Sequence, residues 1–457
     1  MENTLFYVKI ILEKQWGDII LRRKIENTLH EYYNDANAKI LIIDGARQIG
    51  KSYIIRETAS KQFKNYVEID LKSDFEGEQL FLNVRTIKSL YLLIGSLYGD
   101  KLNSIDDTII FFDEIQFYPQ IITMLKDLKK DNKYRYIASG SLLDVTLKHV
   151  FIPMGSINEV QMFPMDFEEF LWANKVSCEV IDYLRECFLN RKVVDASVHK
   201  QIFGLFKDYL ISGGLPDAII EYVLNRNVFK TREVQTETFK YYKDDSSRYD
   251  LNNKLKISKI YDLLLSNMTN KVKRIVFKKI ENKVNANLAM YEDEFDYLVA
   301  SGVCNQADAI SNHVFPLNES ISKNLVKLYY NDVGILTNLL YKNNIMAILE
   351  NDNTINLGSV YETVCAMELI AHGHKLFYFD SKKVGEVDFL INDYNDLSIL
   401  PIEIKSGNDQ NNFRAIPKLV DKNGNYKMPY GYVFGNKNII EEKNNLIIMP
   451  IYLIMFL

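Results

Sequence analysis

Cysteine, tryptophan and proline are all scarce in this chain: four, two and nine among 457 residues. The four cysteines, Cys178, Cys187, Cys304 and Cys365, are scattered without a C-x-x-C pair. That excludes a disulfide framework or a clustered thiolate metal site and reads as reduced thiols in a cytoplasmic protein. A strong charge imbalance is missing too. The formal net charge is −5, so nucleic-acid binding would need a local basic patch, not bulk attraction. No apolar run is long enough for a bilayer-crossing helix. Lys9 interrupts the run Leu5 to Leu12 and no small-residue cleavage site follows, which argues against a signal peptide. The apolar tail Leu446 to Leu457 is short and contains Pro450, so it is expected to close a core or a sheet edge. Internal repeats and low-complexity segments are also absent. What is present is a soluble, globular composition, 47% apolar and 25% charged, at a length that calls for two to four domains.

The sequence is organised around Ala38 to Ser52. Ile40 to Ile43 reads as a buried parallel strand, and Gly45-Ala46-Arg47-Gln48-Ile49-Gly50-Lys51-Ser52 fits G-x-x-x-x-G-K-[ST] at every fixed position. The two glycines let the backbone turn so that successive N–H groups point at a phosphate. A helix opening near Lys51 adds its positive end. Lys51 would reach the β/γ-phosphates of ATP, and the Ser52 hydroxyl would ligate Mg²⁺. Tyr53 to Lys64 continues as helix and Asn65 to Asp70 as strand, an α/β order that predicts a parallel sheet with helices on both faces.

Asp107 to Gln116 supplies a second motif. Four apolar residues form a strand, and Asp113 and Glu114 sit at its carboxyl end. In phosphate-loop ATPases this places one carboxylate on Mg²⁺ and the next near the attacking water. Asp113 is assigned to the metal and Glu114 to general base or water positioning. A further strand ends in Ser139-Gly-Ser141. Ser139 either senses the γ-phosphate or belongs to a serine-rich turn.

Four stretches together carry a resemblance: Gly45 to Ser52, Phe111-Phe-Asp-Glu-Ile-Gln116, Ala138-Ser-Gly-Ser-Leu-Leu143 and Met162-Phe-Pro-Met-Asp-Phe-Glu-Glu-Phe-Leu171. With these the chain resembles bacterial and archaeal AAA-type ATPases that carry a C-terminal domain of unknown function, itself similar to a restriction-endonuclease fold. The resemblance implies a P-loop NTPase sheet, helical and winged-helix segments, and a C-terminal α/β restriction-endonuclease-like domain. Where such proteins carry a basic residue ahead of the Phe-Pro stretch, this chain has Gly155-Ser156. Arg47, Arg135 and Arg248 are candidates for a charge-stabilising arginine. Sites of this type often borrow an arginine from a neighbouring subunit, which is compatible with an oligomer.

The expected division is a helical lead-in over 1–36, the ATPase core over 37–171, a helical lid over 172–253, a basic winged-helix-like domain over 254–345 and the C-terminal domain over 346–457. The break Ser212-Gly-Gly-Leu-Pro216 reads as an interhelical turn or a hinge. Residues 254–283 hold nine lysines or arginines against Asp262 and Glu281. Three short helices followed by the strand-like Val303 to Val314 suit a winged helix that meets the phosphate backbone of DNA or RNA. The plainer reading is a solvated basic face.

The C-terminal part carries a third constellation. Helix 356–372 contains Glu362, strand 385–391 contains Glu386 and Asp388, and strand 399–405 contains Glu403 and Lys405. Period-two alternation puts Glu403 and Lys405 on one face and Ile402 and Ile404 on the other. Such a set suits a metal-dependent phosphodiesterase. Asp388 and Glu403 would hold Mg²⁺, Glu362 would complete the shell, and Lys405 would orient the water. Glu386 shares the face of Asp388 as a weaker candidate. A domain of this kind can also bind nucleic acid without cutting it.

Overall fold

The computed structural model describes residues 21–141, 143, 155–249, 254–269, 274–282, 286–350, 355, 357–407, 415–420, 427–443 and 445–457. Leu5 to Leu12, Lys271, Lys273 and Lys283 lie outside them, as does the side chain of Arg248. All four cysteines are free, three of them buried. Among the described residues no helix is long and apolar enough to cross a membrane.

The first sheet has five parallel strands in the order β2-β3-β4-β1-β5, with β1 at Ile40–Asp44, β2 at Asn65–Asp70, β3 at Thr108–Asp113, β4 at Arg135–Ser139 and β5 at Ile157–Gln161. Alternation within the apolar runs fills both faces. Leu41, Ile43, Ile109 and Phe111 pack into one core, and Ile40, Ile42, Ile110 and Phe112 into another. The parallel order brings the carboxyl ends of β1, β3 and β4 to one edge. Gly155-Ser156 stand at the opposite edge, where the Ser156 carbonyl accepts from Ile40 N–H at the start of β1. A basic side chain at that position would be about 17 Å along the strand from the phosphate loop.

The second sheet has eight strands in the order β12-β13-β11-β10-β9-β8-β6-β7. They are β6 Cys304–Ile310, β7 Ile321–Tyr330, β8 Leu376–Ser381, β9 Gly385–Asp393, β10 Ser398–Ile404, β11 Gly431–Gly435, β12 Glu441–Lys443 and β13 Leu446–Pro450. Three helices, Lys254–Thr269, Lys278–Glu281 and Glu292–Ala300, do precede the antiparallel pair β6–β7, the succession a winged helix requires. That hairpin is not a free wing: β6 also pairs in parallel with β8. A boundary at residue 346 therefore cuts through one continuous sheet. The physical reason is burial on both faces of β7, where Val326 to Tyr330 are all enclosed. A single apolar core runs from the first sheet through the helices to the second. The tail lies within it, with Leu446–Pro450 as a strand and Ile451 to Met455 buried.

The Phe-Pro-Met-Asp stretch has a local structural reason. Asp166 is the N-cap of helix Phe167–Ala173 and forms a capping box with Glu169. The Gly213-Gly214 turn is a tight junction, since a Cβ on Gly214 would lie 2.2 Å from the Met165 carbonyl oxygen.

Candidate functional site

The loop after β1 takes the backbone its glycines allow. Gly45 has φ 146° and Gly50 φ 91°, and a Cβ on Gly45 would meet the Met162 carbonyl oxygen at 2.2 Å. Helix Lys51–Gln62 begins directly after it. The Lys51 ammonium donates to the loop's own Gly45 and Ala46 carbonyls at 2.9 and 2.7 Å. Burial pushes that ammonium below its ordinary pKa, against the pull of Glu114, Asp44 and Asp113. An arriving phosphate would supply the missing counter-charge.

Ser52 Oγ donates to Asp113 Oδ1 at 2.9 Å, across the edge between helix and β3. Ser139 Oγ, at the tip of β4, donates to the same oxygen. Burial raises the Asp113 carboxyl and Glu114 adds to the rise, while the two serines oppose it. A hydroxyl and a carboxylate oxygen meeting here are the hard donors that Mg²⁺ takes, so the residues fit that ion. Ser139 is fully buried and acts on Asp113 and on the Glu114 N–H, 3.4 Å away.

Glu114 adopts the left-handed region at φ 55°, which turns its side chain out of the strand. Its Oε2 accepts from Gln116 Nε2, from Ser141 Oγ at 3.1 Å, and faces Arg47 Nη2 at 3.7 Å. Arg47 Nε donates to Ser141 Oγ at 3.0 Å, so the buried Arg47 braces the carboxylate from inside the loop. Arg135 is placed at the other end of β4, where it holds the Tyr32 and Tyr33 carbonyls at 2.8 and 3.0 Å. It cannot reach a nucleotide here.

A cleft of about 620 Å³ opens beside Gly50, Lys51, Ser52 and Glu114, a volume suited to a small-molecule ligand. Its walls were not legible in the sequence. Arg23, from the lead-in, donates to the Ile49 carbonyl at 2.8 Å and to Glu169 Oε2 at 3.1 Å. Pro216 and Asp217, just past the glycine turn, form another wall. Helix Val228–Tyr249 covers the loop: Tyr242 donates to the Arg47 carbonyl at 2.8 Å and Thr238 to Gln48 Oε1 at 2.6 Å. Gly302 backs the loop so closely that a Cβ would sit 3.0 Å from Ala46 N.

The C-terminal residues also gather. Lys405 Nζ donates to Glu403 Oε1 at 2.7 Å, and Ile404 N–H donates to Asp388 Oδ2 at 2.8 Å. Burial opposes the Lys405 charge, yet Glu403, Asp388 and Glu362 hold its pKa above the ordinary value. Burial likewise raises the Glu403 carboxyl. The sequence reading missed Lys327 on β7. It is buried, pairs with Glu386 at 2.5 Å, and lies over the Tyr378 ring. Burial works against its ammonium, and Glu362, Glu386 and Asp388 outweigh that. A lone lysine inside a strand carries no pattern that would have revealed it. Among the described residues, Glu362, Asp388 and Glu403 do not bring ligand atoms within 4.8 Å of one another; the trio that does is Asp166, Glu368 and His372. Glu362, Asp388 and Glu403 are near enough to act on the charge of Lys405, without their ligand atoms closing to within 4.8 Å of one another. The physical reason is that Asp388 is turned to a backbone N–H and Glu403 to Lys405.

Residues 37–171 match the family described as "AAA domain". Residues 204–345 and 357–454 match two families described as "Domain of unknown function", DUF8612 and DUF4143. A relative, "Uncharacterized protein MJ1544" of Methanocaldococcus jannaschii, is 24% identical over 470 residues, covering 99% of this chain and 95% of its own. Among solved structures, the Walker-type ATPase paby2304 of Pyrococcus abyssi has a TM-score of 0.41 at 15% identity, covering 70% of this chain and 96% of that one. The Pif1 helicase of Candida albicans has a TM-score of 0.23 at 15% identity, covering 40% and 47%. Residues 37–171 thus resemble an AAA domain, and the similarity to known families continues through two domains of undescribed function.

Proposed function

We propose that the chain binds ATP with Mg²⁺ in the cleft at Gly45 to Ser52 and hydrolyses it to ADP and phosphate. The observation that carries this is the meeting of Ser52 and Asp113 at 2.9 Å beside a glycine-bounded loop, with Glu114 next in the chain. Loop N–H groups and Lys51 would bind the phosphates. Ser52 and Asp113 would hold Mg²⁺, which offsets charge on the phosphate oxygens when bound. Glu114, released from Gln116 and Ser141, would orient the water and take its proton. Phosphate release at saturating Mg·ATP tests this. Lys51→Ala should abolish it, and Glu114→Gln should slow it at least about 100-fold while ATP still binds. Undiminished turnover in Glu114→Gln would refute the assignment.

The loop touches Gly302 and helix Val228–Tyr249, so occupancy of the cleft would be felt by the parts that carry the C-terminal sheet. On this reading the protein is a nucleotide-dependent switch whose C-terminal domain binds nucleic acid, helped by the basic residues of 254–283. Neutralising Lys271, Lys273 and Arg274 should weaken DNA binding and flatten its salt dependence; an unchanged slope moves the contact elsewhere. A second reading, a restriction-endonuclease-like nuclease, is favoured by the gathering of Asp388, Glu403 and Lys405 around one strand pair. Plasmid incubated with Mg²⁺ and ATP separates the two. Cleavage lost in Asp388→Ala with Lys405→Ala supports the nuclease, and no cleavage by the parent protein supports the switch.

A further inference from the structure

We propose that Asp166, Glu368 and His372 bind one divalent transition-metal ion, zinc by the chemistry of the donors, and that the ion clasps the nucleotide-binding core to the C-terminal sheet. Among the described residues, this trio has ligand atoms that all lie within 4.8 Å of one another. Asp166 caps helix Phe167–Ala173 in the core. Glu368 and His372, four residues apart on one face, come from the end of helix Gly358–Ala371, the helix that also carries Glu362. Two carboxylates and an imidazole from two separate parts of the fold suit zinc.

The imidazole is held ready for this. His372 Nδ1 lies 3.0 Å from the Leu457 carbonyl oxygen, which can only accept, so Nδ1 carries the proton. Nε2 then faces Asp166 Oδ2 at 3.6 Å, beyond hydrogen-bond length. Ligands of a tetrahedral zinc stand about 3.4 Å apart for bonds near 2.1 Å. A backbone carbonyl on the far nitrogen is the usual outer support of a metal-bound histidine. Glu368 adds an independent sign. It is fully buried; its Oε1 accepts the Phe167 N–H at 2.7 Å, and its Oε2 is enclosed with no hydrogen-bond partner. A carboxylate oxygen left so would be satisfied by a cation. A cavity of about 430 Å³, bounded by Phe163, Pro164, His374 and Lys375, reaches Asp166 and offers a way in.

One cation already stands at the edge. Lys24 Nζ is 2.6 Å from Asp166 Oδ2 and 2.9 Å from Glu168 Oε2, with 37% of its side chain exposed. It can remain on Glu168 while zinc takes Asp166. It is thus a competitor, and removing its charge should strengthen metal binding.

Untagged full-length protein, equilibrated with Zn²⁺ and gel-filtered, should retain about one zinc per chain. Competition with a chromophoric chelator should show His372→Ala and Asp166→Asn weakened at least about tenfold, and Lys24→Met tightened about tenfold. Asparagine preserves the helix cap, so Asp166→Asn should still fold. Co²⁺ in place of zinc should give a visible absorption band in the parent that is lost in Asp166→Asn. Zinc below about one-tenth per chain in both the parent and Lys24→Met overturns the proposal. So does an affinity unaltered by His372→Ala in protein that remains folded.

Discussion

Asp332 is fully buried and accepts from Gly214 N–H at 2.6 Å and Ile335 N–H at 2.9 Å, yet burial outweighs those bonds and lifts its pKa to about 6. The raised value fixes the sign. Below about pH 4 the carboxyl is neutral in folded and unfolded chains alike. Between pH 4 and 6 only the unfolded chain ionises, so stability falls as pH rises, by about 3 kcal/mol in total. Asp332→Asn should remove that slope. Thermal midpoints of parent and variant, measured from pH 4 to 7, should show the variant gaining on the parent as pH rises; a constant gap would contradict it. At this scale the sequence was legible where chemistry needs adjacent residues, as at Lys51, Ser52, Asp113 and Glu114. Arg23 and Lys327 were not, because their partners, Ile49 and Glu386, lie 26 and 59 positions away.

Elements meet at glycines. A Cβ on Gly214 would strike the backbone of Met165, so Gly214→Ala should cost roughly 2 kcal/mol or more and lower the melting temperature. Gly302 has φ 69° and abuts Ala46 N, so Gly302→Ala should push on the phosphate loop. Its nucleotide affinity should fall by more than the stability change alone explains. Gly155 meets nothing within 4 Å, and Gly155→Ala is the control that should change neither. An affinity as good in Gly302→Ala as in Gly155→Ala would show that this contact does not shape the loop. Strands β1, β3 and β4 could be read from their apolar runs, because each is buried on both faces, whereas β5 at the sheet's edge is largely exposed and carries no such run. The place of β6 and β7 could not. Alternation reports which face is buried, not which strand lies alongside, and here β8, the neighbour of β6, begins only at Leu376, after β6 has ended at Ile310.

Over the whole molecule, the loop that edges the cleft stands where three parts converge: the first sheet, helix Val228–Tyr249 and the Gly302 turn. Ligand bound there should therefore stabilise the chain as one body. At 100 times the dissociation constant the gain is about 2.7 kcal/mol, readable as a rise in melting temperature. Titration calorimetry of the full chain with Mg·ATP tests the nucleotide site most directly. Saturable heat at one ATP per chain in the parent, and none in Lys51→Ala, is the expected result. No heat in the parent, or equal heat in both, would contradict it.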